Sequence, residues 1–161
     1  MGRRMRIRPA VIGVVACVAV LTPSTAAAQA ACDSGGNDRL RIQLQPGAID
    51  YGVVSSADLD AGQVLVGSMS VRVQPRNGRV RDWVLCLRAD RALFGPGQKS
   101  VDDVEWQVAG SPAWQPASTA GQPVLQGSGN ERVVVLFRVA VGWEDAPGDY
   151  SAPLTFIASA Q

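Results

Sequence analysis

Two groupings of carboxylates have the residue types for acid–base work: Asp102, Asp103 and Glu105, and the adjacent pair Glu144 and Asp145. A pair of carboxylates flanking a glycosidic bond is enough for glycoside hydrolysis. The surrounding pattern speaks against it. Residues 101–108 alternate, with Val104, Trp106 and Val108 on one side and Asp103, Glu105 and Gln107 on the other, so these acids fall on the solvent side of a strand. Glu144 and Asp145 precede a Pro147-Gly148 turn. Asp58 and Asp60 offer loop oxygens to a calcium ion, which needs several more ligands than two. The chain contains no histidine. That removes histidine-dependent triads, the commonest general base and histidine-bearing metal sites. Two mature cysteines do not furnish a thiolate zinc site, and no glycine-rich phosphate loop precedes a helix. The expectation is a protein that is not an enzyme, with no catalytic residues, no metal and no cofactor.

Three cysteines are present. Cys17 lies in the leader described below, and Cys32 and Cys86 remain as an even pair, which in an exported chain reads as a disulfide. Trp83 shares a strand face with Leu85 and Leu87, and Trp106 shares one with Val104 and Val108; both are expected in a core. Trp83 and Cys86 stand three apart, hence on opposite faces of one strand. With Trp83 inward, the bridge would tie the N-terminal arm across the outside of a sheet, unlike the inter-sheet disulfide of antibody domains. Trp114 lies in a Pro-rich loop beside Gln115 and is the candidate for stacking on a ligand. Trp143 follows Gly142 near the last turn.

The leader is set by Arg3, Arg4, Arg6 and Arg8, an apolar run from Val11 to Leu21, then Pro23 and a small-residue stretch ending Ala28-Gln29-Ala30. This order is that of a cleaved secretory signal, residues 1–30. The apolar run is shorter than the roughly 20 residues a membrane span requires, so no span is expected once the signal is removed. Residues 31–161 are expected to form one domain, with 31–38 a flexible arm, located in the periplasm, at the cell surface or in the medium. Of fifteen basic residues four lie in the leader, leaving eleven against fourteen acidic ones, net −3. No basic cluster is visible along the sequence, so nucleic acid is not an expected partner.

The rest of the sequence alternates short apolar runs with Gly, Pro, Asn and Asp clusters, the pattern of an antiparallel sandwich. Leu40, Ile42 and Leu44 alternate with polar residues over 39–45. Ile49, Tyr51 and Val53 alternate again. Leu65, Met69, Val71 and Val73 line one face of 64–74. The Pro75-Arg76-Asn77-Gly78 turn then predicts a hairpin with 79–89. Residues 109–123 hold too many Pro and Gly for a central strand. Residues 132–141 are apolar on both faces and should be central. A last strand presents Tyr150, Ala152, Leu154, Phe156 and Ala158 to one side. The fold class expected is all-β, an immunoglobulin-like antiparallel sandwich of seven or eight strands.

The stretch Ala146-Pro147-Gly148-Asp149-Tyr150-Ser151-Ala152-Pro153-Leu154-Thr155-Phe156 resembles the C-terminal end of bacterial fimbrial subunits and of the related spore coat U domains. An early Cys32, the Ile49-Asp50-Tyr51-Gly52-Val53-Val54 segment and a Cys86 in a later strand are similar to those families as well. Trp83-Val84-Leu85 also resembles the W-x-L motif of other bacterial surface domains. The fimbrial resemblance implies an incomplete immunoglobulin-like fold, export, passage through a periplasmic chaperone and polymerisation by strand donation to other surface subunits. Residues 31–38 do not alternate, so 39–45, with Leu40, Ile42 and Leu44 at period two, is the candidate assembly strand. The function expected is a secreted, noncatalytic fimbria-like or cell-surface structural or adhesive subunit. The alternative is a secreted module that recognises a glycan or protein through loop aromatics.

Overall fold

The computed structural model describes Ala30, Cys32 and residues 39–62, 64–76 and 82–161. The expected leader apart from Ala30, the arm 31–38 apart from Cys32, and the tip of the turn at 77–81 lie outside the described residues. No described helix is long and apolar enough to cross a membrane.

Ten strands are arranged in three antiparallel sheets. They are β1 (Leu40–Gln45), β2 (Val64–Pro75), β3 (Asp82–Ala89), β4 (Leu93–Phe94), β5 (Lys99–Ser100), β6 (Val104–Val108), β7 (Gln115–Pro116), β8 (Gln122–Ser128), β9 (Glu131–Ala140) and β10 (Leu154–Ala160). β4, β5 and β7 have two residues each. The seven longer strands build the sandwich. One sheet has the order β1-β2-β9-β6-β7, the other β10-β3-β8, and β4-β5 forms a small separate ladder. The fold is an immunoglobulin-like all-β sandwich.

The period-two residues meet between the two sheets. Met69, Val71 and Val73 of β2, Val133, Val135 and Phe137 of β9, Val104 and Trp106 of β6, and Trp83, Leu85 and Leu87 of β3 form one buried cluster. Trp83 Nε1 donates to the Gly129 carbonyl at 2.9 Å, and Trp106 Nε1 donates to Gln122 Oε1 at 3.2 Å, so neither indole brings an unpaired donor into the core. Gly67 stands where β2 would place its next inward side chain. A Cβ there would collide with Ile49 Cγ2 and come near the Tyr51 ring; the missing side chain is the seat of the 46–54 segment.

Three expectations are corrected. First, β2 and β3 do not pair as a hairpin: β2 lies between β1 and β9, and β3 lies between β10 and β8 in the other layer. The chain crosses from one sheet to the other at this turn. β3 is buried on both faces from Trp83 to Leu87, so it occupies the middle of its own three-stranded sheet. Second, Ile49, Tyr51 and Val53 do not form a strand; Ile49 packs against the core while Val53 is almost fully exposed. Third, a short helix, α1 (Ser56–Asp60), follows where no helical period is visible. It starts with a capping box: the Ser55 side chain accepts from Asp58 N–H and the Asp58 carboxylate accepts from Ser55 N–H.

β9 occupies the centre of the five-stranded sheet. Among the described residues no further layer covers its outer face: Val134 is 39% exposed, and Leu136 and Arg138 are half-buried. Central placement here follows from pairing on both edges rather than from burial on both faces.

Candidate functional site

β10 flanks β3 along its whole length, Leu154 opposite Ala89 through Ala160 opposite Trp83. Among the described residues no strand pairs with its other side. A sheet edge of this kind is where a further strand can add by backbone hydrogen bonds. Across the open side of the sandwich lies β1, which approaches β10 but belongs to the other sheet. The inward side chains here are incompletely covered. Leu40 is buried and Ile42 half-buried, but Leu44, on the same face, is 38% exposed. On β10, Leu154 and Phe156 are half-buried, with Phe156 edge-on to Phe137 at 6.5 Å between centroids. The geometry is a row of partly exposed apolar side chains beside a strand edge that has no strand partner among the described residues.

Leu40, Ile42 and Leu44 therefore lie on β1 within the chain's own sandwich. β1 is paired with β2 at every position from Leu40–Pro75 to Gln45–Ser70. This is the first-strand role rather than a segment standing free of the domain.

Cys32 and Cys86 form a disulfide with Cα atoms 5.6 Å apart. Cys86 and Val84 lie on the face of β3 opposite Trp83, and with Cys32 they make a second small buried cluster. The bridge crosses the outside of the β10-β3-β8 sheet, as the three-residue spacing from Trp83 requires. Cys32 packs beside Gly121, at the start of β8.

Trp114, leading into β7, is half-buried against β9. The Arg138 guanidinium lies 4.5 Å from its ring centroid, a cation–π contact. Arg138 Nε also donates to Glu105 Oε2 at 2.5 Å. That hydrogen bond, opposed by a smaller effect of burial, holds the Glu105 carboxyl below its ordinary range, and the guanidinium is raised in turn. Trp114, Arg138 and Glu105 thus form a small cluster on the outer face of the five-stranded sheet.

Several of the remaining acids are engaged locally. Lys99 Nζ pairs with Asp145 at 2.7 Å and with Asp103 at 3.7 Å. The Lys99 side chain is only 11% exposed. Burial pulls its pKa down, yet Asp145, Asp103 and Glu144 more than offset this and the net direction is up. Asp58 is spent on the Ser55 cap, which lowers its carboxyl. Asp60 accepts from Trp143 Nε1 at 2.9 Å. Among the described residues no group of three or more acids or thiols is placed to hold a metal ion.

One structural feature is not visible from spacing alone. Tyr150 Oη donates to the Ala146 carbonyl at 2.7 Å, while its ring stands edge-on to Phe94 at 5.9 Å. A tyrosine bonding back to backbone a few residues upstream, just before an immunoglobulin strand, is the corner device of such sandwiches. The Pro147-Gly148 turn signal preceding Tyr150 is its sequence trace.

The sequence matches no known protein family and no curated relative. Among solved structures, the fold is similar to the P pilus rod subunit PapA, with a TM-score of 0.44 and 15% identity over 76% of this chain and 92% of that one.

Proposed function

We propose that this protein is an exported, noncatalytic structural subunit of a fimbria-like or cell-surface assembly, and that it meets other subunits at the β10 edge. The observation that carries this reading is the side of β10 that no described strand pairs with, next to the half-exposed Leu44, Ile42 and Phe156. An added strand would extend the backbone ladder and lay alternate side chains on these partly exposed apolar residues. The C-terminal sequence motif and the leader support it further. So does the engagement of the acids: Glu105 with Arg138, Asp103 and Asp145 with Lys99, Asp58 with Ser55. A periplasmic chaperone would protect the same edge before assembly.

β1 is assigned the role of first strand, and strand donation by Leu40, Ile42 and Leu44 would require it to leave β2. Amide hydrogen exchange separates the cases. In the assembled state, residues 154–160 should gain protection relative to the monomer. Assembly that leaves 154–160 exchanging as in the monomer would defeat the reading. Deleting 31–45 should unfold the domain if β1 is integral; a folded, non-polymerising deletion product would make it the donor.

A second reading, a glycan- or protein-binding module, is favoured by the half-exposed Trp114 and its Arg138–Glu105 pair. A glycan-array signal lost in Trp114→Ala, with folding retained, would establish it.

A further inference from the structure

The two ends of the five-stranded sheet carry opposite charge. Register places Arg41, Arg72 and Arg132 on its outer face, each next to an inward-facing core residue. Arg72 is directly opposite Arg132 on β9, and Arg41, opposite Gln74, is its diagonal neighbour on β1. Directly opposed side chains have Cβ atoms about 5 Å apart and diagonal ones about 7 Å. None of the three makes an ion pair with a described residue. Arg72 has its guanidinium on the amide of Gln74, which accepts from Nε and Nη2 at 3.2 Å each when turned oxygen-inward. Like charges directly opposed across a ladder destabilise a sheet, so the monomer has no internal use for this strip. The acid nearest to it by register is Glu131, which neighbours Arg132 on β9 and accepts from Ser128 N–H.

The other end is acidic. Val64, Ala140 and Val104 mark it, since Val64 pairs with Ala140 and Val104 with Val139. There α1 ends at Asp60, the 3-10 turn Val101–Asp103 enters β6, and the 142–149 loop leaves β9. Asp102, Glu144 and Asp149 are exposed and carry no ion pair, while Lys99 is taken by Asp103 and Asp145. Arg88, near the end of β3, and Arg91 are exposed cations in the neighbouring stretch of chain. From Arg72 to Val64 is about 26 Å of strand at ~3.3 Å per residue, three times the Debye length of about 8 Å in physiological salt. The two patches therefore do not neutralise each other within one molecule.

We propose that the arginine strip docks the acidic loop end of a second copy of this chain, so that molecules associate end to end. The occupant is identified by charge complementarity: at one end three arginines, and at the other three exposed carboxylates, none of them in a direct ion pair with a described residue, in the same molecule. Because the patches are different surfaces, the contact is heterologous, and it generates rings or open chains rather than a two-fold dimer. The contact is independent of strand addition at β10 and goes beyond the subunit reading, since it names a second surface and a salt-sensitive force.

The test is sedimentation velocity of the exported protein against ionic strength. In about 20 mM salt its mass should rise with concentration past the dimer, and in about 0.5 M salt it should return to the monomer as the charges are screened. Arg41→Glu/Arg72→Glu/Arg132→Glu and Asp102→Lys/Glu144→Lys/Asp149→Lys should each be monomeric, with circular dichroism confirming that they fold. An equimolar mixture of the two variants should regain the mass, since one then has acidic ends and the other basic ones. The proposal is overturned by a wild type that stays monomeric in low salt, by association unaffected by salt or stopping at a dimer, or by a folded variant mixture that stays monomeric. It is equally overturned if the strip binds a sulfated polysaccharide while the protein alone remains monomeric. Protection of residues 154–160 that persists in high salt would support the strand edge on its own, so the two ideas fail separately.

Discussion

At the residue scale, the decisive contacts are polar groups that hold loops to the sandwich. Tyr150 combines an edge-on ring contact with Phe94 and a hydroxyl bond to Ala146 O. Tyr150→Phe keeps the ring and removes the bond, and should lower unfolding stability by about 1 kcal/mol in a denaturant titration. Gly95 has φ +71° and lies against the Tyr150 ring. Gly95→Ala adds backbone strain and a ring collision to that position, so its loss should exceed that of Tyr150→Phe. Glu105 provides a pH test. Its folded pKa is depressed below 4.5, first by the Arg138 hydrogen bond. A depressed carboxylate contributes stability that is present above the unfolded pKa and is lost as pH falls through the folded one. NMR titration should find Glu105 below ordinary glutamates, and Arg138→Gln should return it toward 4.5.

At the element scale, β9 separates pairing from burial. Phe137 is buried and edge-on to Phe156, so Phe137→Ala should cost about 3–5 kcal/mol. Val134, on the outer face of the same strand, is 39% exposed, and Val134→Ala should cost under about 1 kcal/mol because little apolar area is at stake. Equal losses at both sites would mean that the outer face is covered. The disulfide belongs to this scale too. It closes a 54-residue separation, for which the chain-entropy estimate is about 4 kcal/mol. Replacing Cys32 and Cys86 by Ala should lower the denaturation midpoint by the equivalent of about 2–5 kcal/mol, while unreduced peptide mass spectrometry of the native protein should find the cross-link.

At the scale of the whole molecule, the two proposals place contacts on separate surfaces of the sandwich: the β10 edge and the charged ends. The first suits strand addition and the last suits end-to-end contact, so an assembly could combine a backbone ladder with electrostatic steering. On the proposed reading, export precedes both. N-terminal sequencing of exported material should begin at or within a few residues of Ala31, and a mature chain that still starts at Met1 would contradict the signal assignment.

Local patterns carried much of the fold. Alternation at 40–44, 65–73, 104–108, 132–141 and 154–158 marks β1, β2, β6, β9 and β10, because a strand's side chains alternate with period two whatever its partners are. The three-residue spacing of Trp83 and Cys86 likewise dictates opposite faces, and with them the core indole and the outer disulfide. What alternation does not encode is which strand pairs with which. The Pro-Arg-Asn-Gly turn has the chemistry of a hairpin, yet β2 and β3 part into different sheets, where each pairs with two other strands. The charged ends have the same origin. Arg41, Arg72 and Arg132 are scattered across the sequence and form no basic run, and the antiparallel register of β1, β2 and β9 brings them into one strip. Periodicity is a property of a single segment and is legible in it, whereas pairing, open edges and surface charge belong to segments distant in sequence and exist only once the sandwich has closed.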